Sequence, residues 1–69
     1  MVNVNLLRSK IILSGYTQKK LSQLLSMSEA TFSNKINNKT AFYVDEIDIL
    51  CEVLKITSCQ EKIDIFLDD

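Results

Sequence analysis

The stretch that decides the fold is Thr17-Gln18-Lys19-Lys20-Leu21-Ser22-Gln23-Leu24-Leu25-Ser26-Met27-Ser28-Glu29-Ala30-Thr31-Phe32-Ser33-Asn34-Lys35-Ile36-Asn37-Asn38 (residues 17–38). Leu21, Leu24 and Leu25 gather on one side of a helix that Thr17 can cap, because a Thr hydroxyl accepts an orphan N–H of the first turn. Ser26-Met27 interrupts the pattern. Ser28 then caps a second helix carrying Phe32 and Ile36 at i, i+4. The spacing predicts helices over about 17–25 and 28–37, the second closed by Asn37-Asn38-Lys39-Thr40, residues that tolerate turns. Helices this short are marginal alone in water, so the two must hold each other by packing.

That requirement can be tested side chain by side chain. Leu21 and Leu25 supply an inward apolar face, and Ser22 is small enough for a close helix crossing. Met27 is an apolar anchor at the break, while Phe32 and Ile36 form the buried pair of the second helix. Glu29, Ala30, Ser33 and Asn34 then lie on or near the opposite, solvent side. Two short helices joined by a turn of ~3–4 residues form a helix-turn-helix arrangement.

Outward from this unit the helical period continues. Val4, Leu7 and Ile11 share a face, Asn3 is a cap and Gly15 a left-handed terminator, which predicts a first helix over about 4–14. Ile47, Leu50, Cys51 and Leu54 follow i, i+3, i+4, i+7 in a fourth helix. Asp45, Glu46 and Asp48 stand in its first turn and Lys55 at its end, signs that suit the helix dipole. Ser58 with Glu61 reads as a capping box ahead of Ile63, Phe66 and Leu67, giving a fifth helix over about 58–67. Zero prolines and one glycine leave little punctuation for strands and hairpins. The expectation is all-α: five short helices in one bundle, a single domain over 1–69.

Composition excludes several function classes. No apolar run approaches the ~20 residues that span a bilayer. Two cysteines, Cys51 and Cys59, with no histidine, support neither a zinc site nor a disulfide framework. Without histidine or a glycine-rich loop, acid–base catalysis and phosphate cradling lack their usual parts, and a chain this small has no room for a substrate pocket beside its core. We therefore expect a cytoplasmic, non-enzymatic domain with no cofactor, no metal and no small-molecule ligand.

Charge is balanced in total and uneven along the chain. Residues 1–44 hold Arg8, Lys10, Lys19, Lys20, Lys35 and Lys39 against Glu29, a net +5, whereas residues 45–69 carry a net −6. A polyanion partner for the first half is the reading that asymmetry suggests, against the plainer one of solvated helix faces.

The residues themselves carry a family likeness. Gly15-Tyr16-Thr17-Gln18-Lys19-Lys20-Leu21-Ser22 resembles the G-[YL]-T-Q-x-x-L-[AS] opening of the phage-repressor-like (Cro/CI, XRE-type) helix-turn-helix regulators. Ser28 to Lys39 resembles their S-x-x-T-[FIL]-S-x-K-[IL]-N-G-K segment, and Phe42 with Asp45-Glu46-Ile47 is similar to small prophage-type members. The likeness spans about residues 5–56. It departs at Ser26 and Asn38, where relatives carry glycine, at Tyr43, where they carry a cap, and at Glu29, an acidic residue at the mouth of the second helix.

The resemblance implies a lambda-repressor-like fold whose third helix enters the major groove of double-stranded DNA. On that analogy Glu29, Ala30, Ser33 and Asn34 read bases: Asn34 can pair bidentately with adenine, Glu29 accept from cytosine N4, and Ala30 touch a thymine methyl. Thr17, Gln18, Lys19, Ser28, Lys35, Asn37 and Lys39 contact phosphates, through charge, amides and helix N-termini. The implied function is a sequence-specific transcriptional regulator, a repressor of prophage or mobile-element type. One such unit touches few base pairs, so a homodimer on DNA is expected, with Ile49, Val53 and Ile65 as apolar residues left over from the core pattern. The alternative is a protein-interaction module on the same fold, an antirepressor or partner of a larger regulator, using the acidic half.

Overall fold

The computed structural model describes residues 1–67 and contains five helices over that span. They are α1 (Val4–Ser14), α2 (Gln18–Leu24), α3 (Glu29–Ile36), α4 (Val44–Val53) and α5 (Cys59–Phe66). Four of the five begin at a side-chain cap that the sequence marks. The side chains of Asn3, Thr17, Ser28 and Ser58 accept from the backbone N–H of Leu6, Lys20, Thr31 and Glu61. At α4 the residue before the helix is Tyr43, and its own N–H is taken by the Glu46 carboxylate at 2.8 Å. Helix α5 has only half of its expected capping box, because the Glu61 carboxylate turns to Lys10 of α1 instead.

Four of the five helices, all but α5, stop in left-handed backbone. Gly15 (φ 79°) closes α1 at no steric cost. Helices α2, α3 and α4 end at Ser26 (φ 58°), Asn38 (φ 64°) and Lys55 (φ 58°). Each makes the paired 5→2 and 6→1 bonds of a Schellman motif: Ser26 N–H to Gln23 O and Met27 N–H to Ser22 O, Asn38 to Lys35 and Lys39 to Asn34, Lys55 to Glu52 and Ile56 to Cys51. The bonds hold a conformation that a side chain disfavours. Lys55 thus lies beyond α4, in the left-handed position, and not in its last turn.

The core takes Leu7 and Ile11 from α1, Leu21 and Leu25 from α2, and Phe32 and Ile36 from α3. Leu50, Cys51, Leu54 and Ile56 join from α4 and its exit, and Ile65 and Phe66 from α5. Phe42, in the loop before α4, sets its ring edge-on to both Phe32 (6.1 Å) and Phe66 (6.0 Å). That geometry suits the ring quadrupoles and ties α3 to α5 through the loop.

Two expectations for α5 are corrected. Ile65 is 2% exposed and belongs to the core, whereas Ile63 (47%) and Leu67 (63%) face outward. With apolar residues at 63, 65, 66 and 67, an eight-residue helix has two possible inward faces, and its contact with α1 selects one. The Asn3 N–H donates to Ile65 O at 2.7 Å, and Lys10 pairs with Glu61 on the same junction. Ile65 is therefore unavailable to a second subunit.

Candidate nucleic-acid interface

The candidate face is built by α2 and α3, which pack directly on each other. Ser22 allows the approach: it is buried, and its hydroxyl donates to Lys19 O at 2.7 Å, so the small side chain leaves no unpaired polar group. Met27 follows the left-handed Ser26 and lies half-buried against the core, which anchors the turn.

Phe32 and Ile36, both 0% exposed, then fix the rotation of α3. With ~100° between successive residues, Ala30, Asn34 and Asn37 at i, i+4, i+7 form the stripe opposite the buried pair. Ala30 and Asn34 are exposed, Ser33 is half-buried beside them, and Glu29 is exposed at the start of the helix. The Asn34 amide makes no hydrogen bond among the described residues, so all its donors and acceptors face solvent. A polar stripe on a helix whose other side is locked into a core can present edge-specific contacts to a ligand.

The three asparagines near the end of α3 differ sharply. Asn38 turns in, accepting from Val2 N–H at 2.8 Å and donating to Val2 O at 2.9 Å. Asn37 is exposed, but its Nδ2 donates to Ser33 O at 2.9 Å and its Oδ1 accepts from Arg8 Nη2 at 3.1 Å. Its amide, expected at a phosphate, is already held from both sides. Only Asn34 is open.

Lys35 is a correction. Expected to contact phosphate, it is 7% exposed and points to the other side of α3. Its Nζ lies 2.6 Å from Glu46 Oε1 and 4.5 Å from the centre of the Tyr43 ring. Three residues past Phe32, Lys35 lies on the core-facing flank, and the first turn of α4 brings a carboxylate and an aromatic face to it. Burial raises the Glu46 carboxyl, but the hydrogen bonds from Lys35 and the Tyr43 N–H, with the lysine charge, outweigh it and hold the group below its ordinary value. Buried against α4, this ammonium is not presented on the outward stripe of Ala30 and Asn34.

The other basic and cap residues remain at the surface. Thr17, Lys19, Ser28 and Lys39 are exposed and Gln18 is half-buried. Thr17 and Ser28 each satisfy one first-turn N–H, and Ser28 also donates to Thr31 Oγ1 at 3.0 Å. Arg8 was not singled out by sequence. It lines a shallow concavity with Ile11, Ile12 and Gln18, and it reaches the end of α3 at Asn37. The available signal was that Arg8 is the one arginine of the chain and follows the buried Leu7, which puts it on the open side of α1.

Of the remaining apolar candidates, Ile49 is exposed and Val53 half-buried, one turn apart on α4. Val53 lies with Leu13 and Tyr16 along a groove between the ends of α1 and α4. No helix among the described residues is long and apolar enough to cross a membrane.

Comparison with protein-family models matches residues 6–60 to the Cro/C1-type HTH DNA-binding domain. No curated protein and no solved structure matches the chain.

Proposed function

We propose, from the premise that this chain belongs to the Cro/C1-type HTH DNA-binding domain (XRE) family, that it is a sequence-specific transcriptional regulator. The family is one of DNA-binding, non-enzymatic domains. The finer reading is a repressor of prophage or mobile-element type, acting in the cytoplasm, with the whole chain serving as one binding domain. The observation that carries sequence-specific DNA reading is the outward stripe of Ala30 and Asn34 on a helix locked by Phe32 and Ile36.

In this reading α3 lies in the major groove and α2 crosses the backbone above it. Asn34 pairs with an adenine edge, Ala30 meets a thymine methyl, and Glu29 and Ser33 discriminate at the flanking positions. Thr17, Gln18, Lys19, Ser28 and Lys39 position the helices on phosphates, which supply affinity without sequence information. Lys35 is no longer part of the set. A homodimer supplies the second recognition helix, joined through Ile49 and Val53 and without Ile65. Half-sites stand about 34 Å apart, one helical turn. A subunit of 28 × 24 × 21 Å is of a size to sit beside its copy across that distance.

Selection of duplexes from a random pool by the purified protein tests the reading. A palindromic consensus, bound with affinity that falls steeply as salt rises, is the expected result. Failure to bind any duplex at low salt would sink it and leave the interaction-module reading, which the exposed acidic residues of α4 (Asp45, Asp48 and Glu52) would serve.

A further inference from the structure

Resting on the reading that the outer stripe of α3 meets DNA, we infer that Arg8 of α1 clamps a phosphate at that interface, and that Asn37 positions Arg8 instead of touching the backbone itself.

Place comes first. Asn37 is three residues past Asn34 and seven past Ala30, at the C-terminal end of the outward stripe. Arg8, 29 residues earlier in the chain, donates from Nη2 to Asn37 Oδ1 at 3.1 Å, so its guanidinium stands at that end too. The same side chain borders a concavity with Gln18, the first residue of α2. Arg8 therefore touches the end of α3 and shares a concavity with the start of α2.

Charge comes second. Lys10, Lys35 and Lys62 are each paired with a carboxylate, whereas Arg8 has no acidic partner among the described residues. Asn37 is neutral, so it orients the guanidinium without cancelling its charge. The hydrogen bond to Asn37 uses one of five N–H donors and leaves a fork that fits two phosphate oxygens. Asn37 is itself braced by its bond to Ser33 O at 2.9 Å, so the orientation is set by the helix backbone. A lysine at this position would carry the charge but not the planar fork.

The test is equilibrium binding of wild type, Arg8→Ala, Arg8→Lys and Asn37→Ala to the selected duplex and to a scrambled one. Fluorescence anisotropy across a salt series reads the binding, and circular dichroism melts check folding. Arg8→Ala should weaken both duplexes by a similar factor, roughly three- to tenfold at low salt, and make the log–log salt slope shallower by about 0.9. Arg8→Lys should keep the wild-type slope, and Asn37→Ala should keep it with a smaller loss of affinity. The clamp is overturned if Arg8→Ala keeps the wild-type slope with affinity changed by less than about twofold. The positioning role of Asn37 is overturned if Asn37→Ala binds both duplexes within about twofold of wild type. Wild-type protein that binds neither duplex removes the DNA reading itself and the clamp with it. Wild-type binding that is indifferent to Arg8 removes the clamp alone.

Discussion

Lys35 Nζ lies 2.6 Å from Glu46 Oε1, and this contact ties the last turn of α3 to the first turn of α4. The same Glu46 oxygen accepts the Tyr43 N–H at 2.8 Å. One carboxylate therefore caps α4 and neutralises a nearly buried cation. Such a pair adds little net stability when complete but is costly to break from one side.

A pH dependence follows from it. Glu46 is held below the ordinary glutamate value of 4.5, so its contribution is fully present above that value and is lost as pH falls through the folded value. Urea unfolding of wild type should therefore lose stability as pH falls below about 4.5, and Glu46→Gln should flatten that loss. Glu46→Ala, which leaves Lys35 without its carboxylate, should cost about 1.5–3 kcal/mol near neutral pH. Equal acid sensitivity in wild type and Glu46→Gln would assign the effect to other carboxylates.

The left-handed helix ends separate two kinds of residue. Ser26 and Lys55 pay a steric cost that glycine lacks, so Ser26→Gly and Lys55→Gly should each stabilise by about 0.5–1 kcal/mol. Asn38 has the same backbone, yet its amide makes both hydrogen bonds to Val2. Asn38→Gly should destabilise by about 1 kcal/mol, since losing those bonds exceeds the relief of strain. Thermal melts, where 1 kcal/mol moves a domain of this size by about 4–8 °C, would separate the three.

Base reading and phosphate holding should separate in binding. Asn34→Ala should lose about 1–3 kcal/mol on duplexes carrying the contacted base pair and little on the others. Lys39→Ala should weaken every duplex and flatten the salt slope. Lys35→Ala should instead show itself as lost stability, with the slope of the folded fraction unchanged. A slope that flattened in Lys35→Ala would place that ammonium on DNA after all.

The two apolar candidates of α4 can be tested against the core residue of α5. Ile49→Asp, at the exposed position, should leave the chain folded and convert cooperative operator binding into weak binding of single copies, read by sedimentation on a two-half-site duplex. Val53→Asp should also loosen the core that Val53 packs against. Ile65→Ala should act on folding, with a loss of about 2–5 kcal/mol from the cavity it leaves. Normal stability in Ile65→Ala would contradict its core position.

The likeness of the sequence to its family was legible because the helix-turn-helix depends on spacing. Leu21, Ser22, Met27, Phe32 and Ile36 each occupy the environment their size and polarity demand. Long or borderline side chains carry less of their placement in the local sequence. Lys35 looked like any surface lysine, because nothing within a turn of it shows the carboxylate 11 residues ahead. Arg8 carries no local sign of its role for the same reason, its contact lying 29 residues away.

Sequence by itself marked where four of the helices begin and where α1 ends, since a cap hydrogen bond or a left-handed terminator involves groups three to five residues apart. Asn3, Thr17, Ser28, Ser58 and Gly15 are local devices of that kind. Tertiary structure alone decided which way Lys35 points, which face of α5 is buried, and that Arg8 meets Asn37 and Asn38 meets Val2. Those choices are made by partners distant in the chain, whose positions exist only after the helices have closed around the common core. A helix of eight residues can turn either face inward with little change in its own energy, so the neighbours choose.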